Sequence, residues 1–369
     1  MSDAPANDML EDIRRRIDAI DEQLQALISQ RAELARAVGA TKFPEPAGLS
    51  NAPRDYYRPE REAEILRKAV ARNSGPLKDE EIVRLFREIM SACLAQQEPM
   101  KVAFLGPEGT FSQAAVLKHF GHSVRTLAVP SIEEVFHDVE AGIADFGVVP
   151  VENSTEGTVS TTLDMLVVTP LRISGEIELR IRQHLLGRMA GLDEVRRVYS
   201  HQQSLAQCRA WLDQRLPGVE QVAVASNAEA ARLAAREAGA AAIAGDTAAE
   251  VYGLAVLMAN IEDRPDNTTR FVVIGRDMPG PSGRDKTSLL LSSRHAAGAL
   301  QELLHPLSKH NVSMTRIESR PSRRGKWDYV FFVDVEGHRE DAHVAAALRE
   351  LETAAAWCRV LGSYPTAIL

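Results

Sequence analysis

The chain has 369 residues, and 43 lysines and arginines against 51 aspartates and glutamates give a formal net charge of −8. This length predicts two or three domains, and 45% hydrophobic with 25% charged residues excludes collagen-like and wholly disordered chains. The acidic balance disfavours nucleic-acid binding, which needs a basic surface. Acidic residues open the chain, and no apolar run reaches the roughly 20 residues of a membrane helix, so neither a signal peptide nor a membrane partner is expected.

Cysteine usage points to a reducing compartment. Cys93, Cys208 and Cys358 lie far apart and form neither a CxxC pair nor a zinc ligand set. Sparse, unpaired cysteines are typical of cytoplasmic proteins. We therefore expect a cytoplasmic protein with buried thiols and no metal or cofactor.

Residues 1–98 are predicted to form a helical domain. An apolar stripe at spacings of three and four runs from about Leu10 to Lys42, which makes a helix of about 50 Å. A unit of this size cannot bury such a stripe alone, so a partner is expected. Further helices are predicted over about Glu60–Arg72 and Lys78–Gln96. The residues that separate the first helix from the second are Pro44, Pro46, Gly48, Pro53 and Pro59.

Residues 101–278 change character, because short β-rich runs alternate with helical runs. This alternation predicts an α/β domain with largely parallel sheets, in two lobes around a cleft, the second lobe beginning near Ile181. The predicted strands are Val102–Leu105, Val124–Val129, Phe146–Val151, Val198–His201, Val222–Ala225, Ala241–Ala244 and Phe271–Ile274.

Residues 287–365 are predicted to form a third domain with the order βαββαβ, the ferredoxin-like pattern. Its predicted elements are the strands Ser288–Ser292, Met314–Ser319, Trp327–Val335 and Cys358–Leu361 and the helices Ala299–His310 and Asp341–Ala355. The run Pro279–Gly283 before it is typical of a linker.

Three cations of the first helix suggest an anion site. Arg31 and Lys42 are eleven residues apart, so they point roughly the same way and lie about 16 Å apart along the axis. Both could reach one small anion between them. Arg14 lies about 25 Å further along, and could reach that anion only from an antiparallel second copy. The alternative is that all three are solvated charges on an amphipathic helix.

The runs Ile13–Asp18, Arg31–Leu34, Arg58–Glu64 and Leu85–Met90 resemble the all-helical chorismate mutases, whose three helices per chain interlock into a dimer. The resemblance implies that Arg14 is supplied by the partner, that Arg31 binds a carboxylate, and that Lys42 and Gln97 contact the ether oxygen. It places Glu62 at the ring hydroxyl, with Arg61 beside it. Arg58 and Cys93 depart from the pattern, since many relatives carry Asp and a hydroxyl residue there.

Four polar clusters follow strands in the middle segment, and ligands bind at strand ends in α/β sheets. The first opens a helix and could bind an anion, although it lacks the lysine of a Walker A loop. Each cluster alone could be a cap or a turn. The clusters are Gly106–Ser112, Val149–Gly157, Ser200–Cys208 and Asn267–Phe271.

Together these clusters resemble the prephenate dehydratases, whose motifs GPxGTFS, ENSxxG, SHxQSLxQC and TRF occur in the same order. The resemblance implies a two-lobed domain like that of periplasmic binding proteins, with Thr269 as the principal catalytic residue. It places Glu152, Asn153 and Gln207 in the same site. His201 is either a general acid or a capping residue. Further candidates for substrate carboxylate contacts are Thr110, Ser112, Ser154 and Arg270.

In the last segment, Gly298-Ala299-Leu300 and Glu318-Ser319-Arg320-Pro321 resemble the two ligand signatures of ACT domains. The resemblance implies that these residues bind phenylalanine between protomers. The runs Trp327–Tyr329 and Gly362–Pro365 fit the same pattern.

Nearly the whole chain therefore resembles the bifunctional chorismate mutase–prephenate dehydratases. These convert chorismate to prephenate and prephenate to phenylpyruvate, under feedback inhibition by L-phenylalanine. A homodimer or larger homo-oligomer is expected. Two alternatives are a dehydratase whose helical segment is only a dimerisation module, and a non-enzymatic amino-acid sensor.

Overall fold

The computed structural model describes residues 4–42, 57–97, 99–292, 297–321 and 329–368. Of residues 4–6 only the helical backbone is described. The expected helix breakers Pro44, Pro46, Gly48 and Pro53 lie outside the described residues, as do Trp327 and Asp328 of the third domain. Among the described residues, no helix is both long and apolar enough to cross a membrane.

Three helices open the chain, as the apolar spacing predicts. They are α1 (Ala4–Lys42), α2 (Pro59–Arg72) and α3 (Asp79–Ala95). Pro59 occupies the first turn of α2, where its missing N–H removes no helical hydrogen bond. Leu66 of α2 packs against Val83 and Met90 of α3, so these two helices share a small core.

The apolar stripe of α1 is left uncovered within one chain. Ile17, Ile20 and Leu27 are 51%, 55% and 60% exposed. At the other end of the domain, Gln97 Nε2 donates to the carbonyl of Ala35 at 2.8 Å, which ties the end of α3 to the last turns of α1. The exposure of Ile17, Ile20 and Leu27 agrees with the prediction that α1 needs a partner to cover its apolar stripe.

The middle segment forms two lobes, each built on its own sheet. The first sheet has the order β2-β1-β3-β11-β5, with the short β4 paired to β3. Its strands are β1 (Lys101–Leu105), β2 (Arg125–Val129), β3 (Phe146–Asn153), β4 (Gly157–Thr158), β5 (Arg172–Arg180) and β11 (Thr268–Gly275). Helices α4 (Phe111–Phe120), α5 (Ile132–Glu140) and α6 (Ser160–Val168) belong to this lobe.

The second sheet has the order β10-β6-β9-β7-β8. Its strands are β6 (His184–Gly187), β7 (Arg197–His201), β8 (Glu220–Val224), β9 (Ala240–Ala244) and β10 (Ala255–Met258), and its helices are α7 (Gln202–Gln207), α8 (Arg209–Arg215), α9 (Asn227–Ala234) and α10 (Asp246–Tyr252). The second lobe thus begins close to Ile181, as expected. Every residue of the alanine-rich β9 is buried, which lets the flanking helices pack closely.

The expectation of largely parallel sheets is only half right. Strands β1, β2 and β3 pair in parallel, and so do β7, β8 and β9. In contrast, β11 is antiparallel to both β3 and β5, and β6 is antiparallel to β9 and β10. The sequence pattern missed β5 because polar residues interrupt it, among them Glu176, which is buried because it is paired with cations.

The third domain has the predicted βαββαβ order. Its elements are β12 (Asp285–Ser292), α11 (Ala299–Lys309), β13 (Met314–Pro321), β14 (Tyr329–Glu336), α12 (Ala342–Ala354) and β15 (Trp357–Pro365). The sheet order is β13-β14-β12-β15 and every pair is antiparallel. Helices α11 and α12 pack on one face through Leu303, Leu307 and Leu351.

The opposite face of this third sheet packs on the first lobe. Leu290, Phe332 and Tyr364 join Leu163 and Ile173 in one continuous core. Residues 279–284 are not a free linker, because Arg67 of α2 donates to the carbonyls of Ser282 and Arg284 at 2.7 and 2.8 Å. The regulatory domain predicted from the sequence is therefore docked firmly against the middle segment.

Candidate functional site

The ends of β3 and β11 bring Asn153 and Thr269 side by side. The two residues are directly opposite in the antiparallel pairing, and Asn153 Nδ2 donates to Thr269 Oγ1 at 2.8 Å. Thr269 is 8% exposed, so the pair is largely withdrawn from water. The ENSxxG and TRF motifs, more than a hundred residues apart in the sequence, thus meet at one point.

The direction of this hydrogen bond is fixed by the backbone. Asn153 Oδ1 accepts from the N–H groups of Thr155 and Glu156 at 2.9 and 3.1 Å. An N–H group can only donate, so the oxygen of the amide must face the turn and its nitrogen must face Thr269. Thr269 Oγ1 is therefore an acceptor from Asn153, and its own proton remains available for a further acceptor.

From this pair a chain of amide hydrogen bonds runs into the second lobe. Asn153 Nδ2 also donates to Asn267 Oδ1 at 2.8 Å, and Asn267 Nδ2 donates to Gln207 Oε1 at 3.2 Å. Gln183 Nε2 lies 3.4 Å from the same oxygen of Gln207 and 3.1 Å from Ser204 Oγ. Gln207, predicted as a site residue, thus joins Asn153 and Thr269 in one network.

This network passes through the two chain segments that cross between the lobes. The N–H of Ile181 donates to the carbonyl of Asn267 at 2.8 Å, which holds the crossings together. Asn227 continues the network, because its Nδ2 donates to Ser204 Oγ at 2.9 Å. Sequence reasoning did not assign roles to these residues. Asn267 and Ser204 lie inside motifs quoted above, whereas Gln183 and Asn227 carry no local signal.

Three other predicted residues occupy different surroundings. Thr110 caps α4, accepting from the N–H of Gln113 at 3.4 Å, and lines a groove between the lobes with Arg180 and Arg182. Ser154 Oγ accepts from the N–H of Thr268 at 3.0 Å and so closes the turn beside the Asn153–Thr269 pair. Ser112 is a buried residue in the first turn of α4.

Glu152 and Arg270 do not join this network, which corrects the expectation that they line the same site. Side chains alternate along a strand, so these neighbours of Asn153 and Thr269 point to the opposite face of the sheet. Glu152 pairs with Arg316 at 2.8 Å, and Arg270 pairs with Asp334 at 2.8 Å. Both partners belong to the third domain.

His201 caps the start of α7, which is the alternative to a role as general acid. Its Nδ1 accepts from the N–H of Gln203 at 3.4 Å at the start of α7. The backbone N–H of His201 donates to Asn227 Oδ1 at 3.1 Å. A ring nitrogen occupied in this way supports the turn, so the structure favours the capping alternative.

The residues predicted for the helical domain separate into two groups. Arg14, Arg31 and Lys42 lie along α1, and Gln97 contacts α1 beside Gly39, where an added Cβ would collide with the Gln97 amide. The second group lies on α2. Arg61 pairs with Glu64, one turn further along, on the exposed side of the helix.

Glu62 faces the interior, toward the junction of the three domains. It lies 3.6 Å from Arg87 Nε, in a cavity shared with Tyr57, His119 and the chain end at 365–368. Burial raises the pKa of Glu62 to about 7, against the smaller opposing effect of Arg87. Within the described residues, Arg87 is the ion-pair partner of Glu62, and no ion pair joins Glu62 to Arg31 or Lys42.

Burial also acts on the histidine of this junction. Tyr57 Oη lies 3.1 Å from His119 Nε2, and burial lowers the pKa of His119 to about 3. His119 is therefore neutral at physiological pH. A neutral imidazole beside the Glu62–Arg87 pair adds no further charge to this buried region.

The two predicted ligand segments of the third domain lie at the same end of its sheet. Ser292 and Arg320 both stand opposite Val330, one on each side of β14. The chain after β12 leads to Gly298, which has a φ of 81° before α11, and β13 ends at Pro321. The end of β12 and the end of β13 therefore lie at the same end of the sheet, and the binding role of Gly298–Leu300 and Glu318–Pro321 stays a prediction.

Known families match three consecutive parts of the chain. The matches are chorismate mutase type II over residues 13–98, prephenate dehydratase over residues 102–279 and the ACT domain over residues 287–353. A bifunctional chorismate mutase/prephenate dehydratase of Pseudomonas aeruginosa is 53% identical over 363 residues, covering 98% of this chain and 99% of that protein. The chain belongs to the bifunctional chorismate mutase/prephenate dehydratase family. It therefore carries both enzymatic domains of that family, followed by the ACT domain.

Two solved structures each cover 72% of this chain. The prephenate dehydratase of Arthrobacter aurescens in complex with L-Phe has a TM-score of 0.66 and 35% identity, covering 72% of this chain and 90% of that one. GqqA, described as a novel type of quorum quenching acylase, has a TM-score of 0.67 and 32% identity, covering 72% and 98%. The family assignment makes this chain a bifunctional enzyme of phenylalanine biosynthesis rather than a dehydratase with a degenerate helical module.

Proposed function

We propose that prephenate is dehydrated and decarboxylated beside the Asn153–Thr269 pair, between the two lobes of the second domain. The observation that carries this proposal is the hydrogen bond from Asn153 Nδ2 to Thr269 Oγ1 at 2.8 Å. It leaves the Thr269 proton free to meet a substrate oxygen. A hydroxyl that accepts one hydrogen bond becomes a better donor for the next, because chains of hydrogen bonds polarise one another.

The reaction needs a donor of this kind. Prephenate loses its ring carboxylate as carbon dioxide and its ring hydroxyl as water, with one proton taken up, and the ring becomes aromatic. The electrons of the breaking C–C bond enter the ring as the C–O bond breaks, so negative charge develops on the departing oxygen. A fixed hydroxyl donor at that oxygen stabilises the transition state. Threonine is too weak an acid to give up its proton, so Thr269 donates a hydrogen bond while the proton comes from elsewhere.

The amides beyond Thr269 are proposed to hold the site together across the lobes. Asn267 and Gln207 link the first lobe to the second through side-chain hydrogen bonds. These hydrogen bonds fix the positions of Thr269 and Gln207 relative to each other, so a substrate bound between the lobes would contact both. Thr110 lines the groove nearby and is proposed to contact a substrate carboxylate.

For the first domain, we propose that the mutase site forms between two copies of the chain. The exposed stripe of α1 supports this proposal, since apolar side chains such as Ile20 and Leu27 are more than half exposed in one chain. Arg14 would come from one protomer, and Arg31 and Lys42 from the other. The rearrangement of chorismate needs no nucleophile, so cations that hold its two carboxylates and a donor to the ether oxygen suffice.

For the third domain, we propose that L-phenylalanine binds at Gly298–Leu300 and Glu318–Pro321, between two protomers, and inhibits the dehydratase. Two observations support this: the strands β12 and β13 end at the same end of the sheet, and a related dehydratase was solved in complex with L-Phe. We also propose a homodimer or larger homo-oligomer in the cytoplasm, and the three cysteines, which are free and not exposed, fit a reducing compartment.

A two-step assay on the purified full chain tests these assignments together. It follows the loss of chorismate and then the formation of phenylpyruvate, with and without phenylalanine. We expect both steps, with the second inhibited. The reading fails if chorismate is not consumed, or if added prephenate is not converted. Inhibition that is competitive with prephenate would place phenylalanine in the cleft instead of the third domain.

A further inference from the structure

Two charged pairs join the catalytic strands of the second domain to the sheet of the third. Glu152 and Arg270 stand opposite each other on β3 and β11. Arg316 and Asp334 stand opposite each other on β13 and β14. The two cross-strand pairs face one another with complementary charges, and each contact is 2.8 Å long, Arg316 to Glu152 and Arg270 to Asp334.

The Arg270–Asp334 contact is buried in this interface, whereas the Arg316–Glu152 contact is partly exposed, because the Glu152 side chain is 40% exposed and that of Arg316 is 14% exposed. The side chains of Arg270 and Asp334 are 14% and 7% exposed. Arg270 also lies 3.2 Å from Glu176, which in turn holds Lys286 Nζ at 2.6 Å. Burial alone would lower the pKa of Arg270, but Tyr364, Asp334 and Glu176 outweigh it and raise the pKa. The guanidinium is therefore charged and anchored on two domains.

Asp334 is itself held in place by its own domain. Ser288 Oγ donates to Asp334 Oδ1 at 2.6 Å, and Ser288 also bonds to the Tyr364 hydroxyl at 2.7 Å. A carboxylate fixed in this way can position the group it binds. Arg316 lies on β13, the strand that continues into Glu318–Pro321.

Each of these contacts is one residue away from the proposed dehydratase site. Asn153 follows Glu152 and Thr269 precedes Arg270, so the same two strands carry the site on one face and the ion pairs on the other. A shift of the third domain would therefore act on the two strands that carry the Asn153–Thr269 pair. Misplacement of a catalytic group by about 1 Å can cost about 10²-fold in rate.

We propose that Arg270 and Glu152 are positioning residues, which Asp334 and Arg316 of the third domain hold so that Thr269 and Asn153 keep their catalytic spacing. This inference rests on the proposed roles of Thr269 and Asn153 and extends them to regulation. A ligand bound at Glu318–Pro321 would act on the dehydratase through β13 and these two pairs. To act in this way, the ligand must bind one orientation of the third domain more tightly than another.

The test compares Asp334→Asn and Arg316→Gln with a matched control, Arg172→Gln. Arg172 also crosses this interface, donating to the carbonyl of Val360 at 2.9 Å. However, it stands opposite Gly275 at the far end of β11, whereas Thr269 stands opposite Leu179. Initial rates on prephenate, with and without phenylalanine, and the mutase rate of the same preparations are the readouts.

We expect Asp334→Asn and Arg316→Gln each to lower the dehydratase kcat about tenfold to hundredfold, with KM changed less than twofold. Phenylalanine should inhibit the remaining activity more weakly. The mutase rate of all three variants and the dehydratase kcat of Arg172→Gln should stay within twofold. Arg270→Lys, which keeps the charge, should retain more activity than Arg270→Gln.

Three results would overturn the proposal. The first is an unchanged dehydratase kcat in both Asp334→Asn and Arg316→Gln. The second is an equal loss in Arg172→Gln, which would mean that loosening the interface anywhere has the same effect. The third is a rise in KM alone for Arg270→Gln, which would return Arg270 to substrate binding. If Asp334→Asn does not fold, Arg316→Gln decides. If Thr269→Ala lowers the dehydratase kcat strongly while Asp334→Asn and Arg316→Gln leave it unchanged, only this inference is rejected. The proposed dehydratase site then still stands.

Discussion

The side-chain amide of Asn153 donates to the hydroxyl oxygen of Thr269 at 2.8 Å across the β3–β11 pair. The orientation of the amide is set by two backbone N–H groups that its oxygen accepts. Within the described part of the chain, no acceptor is recorded for the Thr269 proton. This relationship leaves the Thr269 hydroxyl able to donate to a ligand, which is the role that we propose for it in the departure of hydroxide.

Replacing Thr269 with alanine should lower the dehydratase kcat by about 10²–10³, the usual cost of losing one fixed donor to developing charge. KM should change much less, because the donor acts on the transition state. Thr269→Ser retains the hydroxyl and should lose less. Thr268→Ala, on the neighbouring residue, is the control and should stay within twofold. An effect on KM alone would reduce Thr269 to a residue that holds the substrate.

Asn153→Asp should be nearly as damaging as Thr269→Ala, although the substitution hardly changes the shape of the side chain. A carboxylate can only accept a hydrogen bond, so Thr269 would have to turn its proton toward the new carboxylate and away from the substrate. The measurement is kcat for prephenate at pH 7–8, with a thermal unfolding curve to check the fold. Activity near that of the parent chain would show that the direction of the Asn153–Thr269 bond is unimportant.

Arg14→Ala should abolish the mutase and leave the dehydratase within about twofold, since the two sites lie in different domains. Mixing Arg14→Ala with Arg31→Ala chains should restore part of the mutase activity, because one site of each hybrid dimer then keeps both cations. Arg15→Ala, on the exposed neighbour that pairs with Asp12, is the control and should have little effect. No recovery after subunit exchange would contradict a site shared between two copies.

The pKa of Glu62 predicts a pH-dependent stability of the helical domain. Burial raises this pKa from 4.5 to about 7 in the folded chain. Between these values the folded state binds more protons than the unfolded state, so the free energy of unfolding falls as pH rises. At about 1.4 kcal/mol for each pKa unit, the loss amounts to roughly 3 kcal/mol.

Glu62→Gln removes this titration. We measure the free energy of opening of the α2 amides by hydrogen exchange. As pH rises from 5 to 7, we expect this free energy to fall in the parent chain relative to the Glu62→Gln variant. His119, whose pKa burial lowers to about 3, acts in the opposite sense, since its stabilisation is lost as pH falls below 6.5. The parent protein and the Glu62→Gln variant share this effect of His119, so it cancels when the two are compared. A difference between them that does not change with pH would contradict the buried position of Glu62.

Much of the organisation follows from local sequence. The apolar stripe of α1 repeats at helical spacing from about Leu10 to Lys42. The helix and its need for a partner can therefore be predicted without a structure. The order βαββαβ of the third domain and the four polar clusters of the second are equally local. Each depends on neighbours along the chain.

Tertiary structure decided which residues face the site. In the runs Glu152-Asn153 and Thr269-Arg270 all four residues are polar, and the sequence does not distinguish them. Alternation along a strand sends neighbours to opposite faces, but only the docking of the third sheet shows which face is covered. Because Asp334 and Arg316 come from a distant part of the chain, they assign Glu152 and Arg270 to the domain interface and leave Asn153 and Thr269 to the cleft.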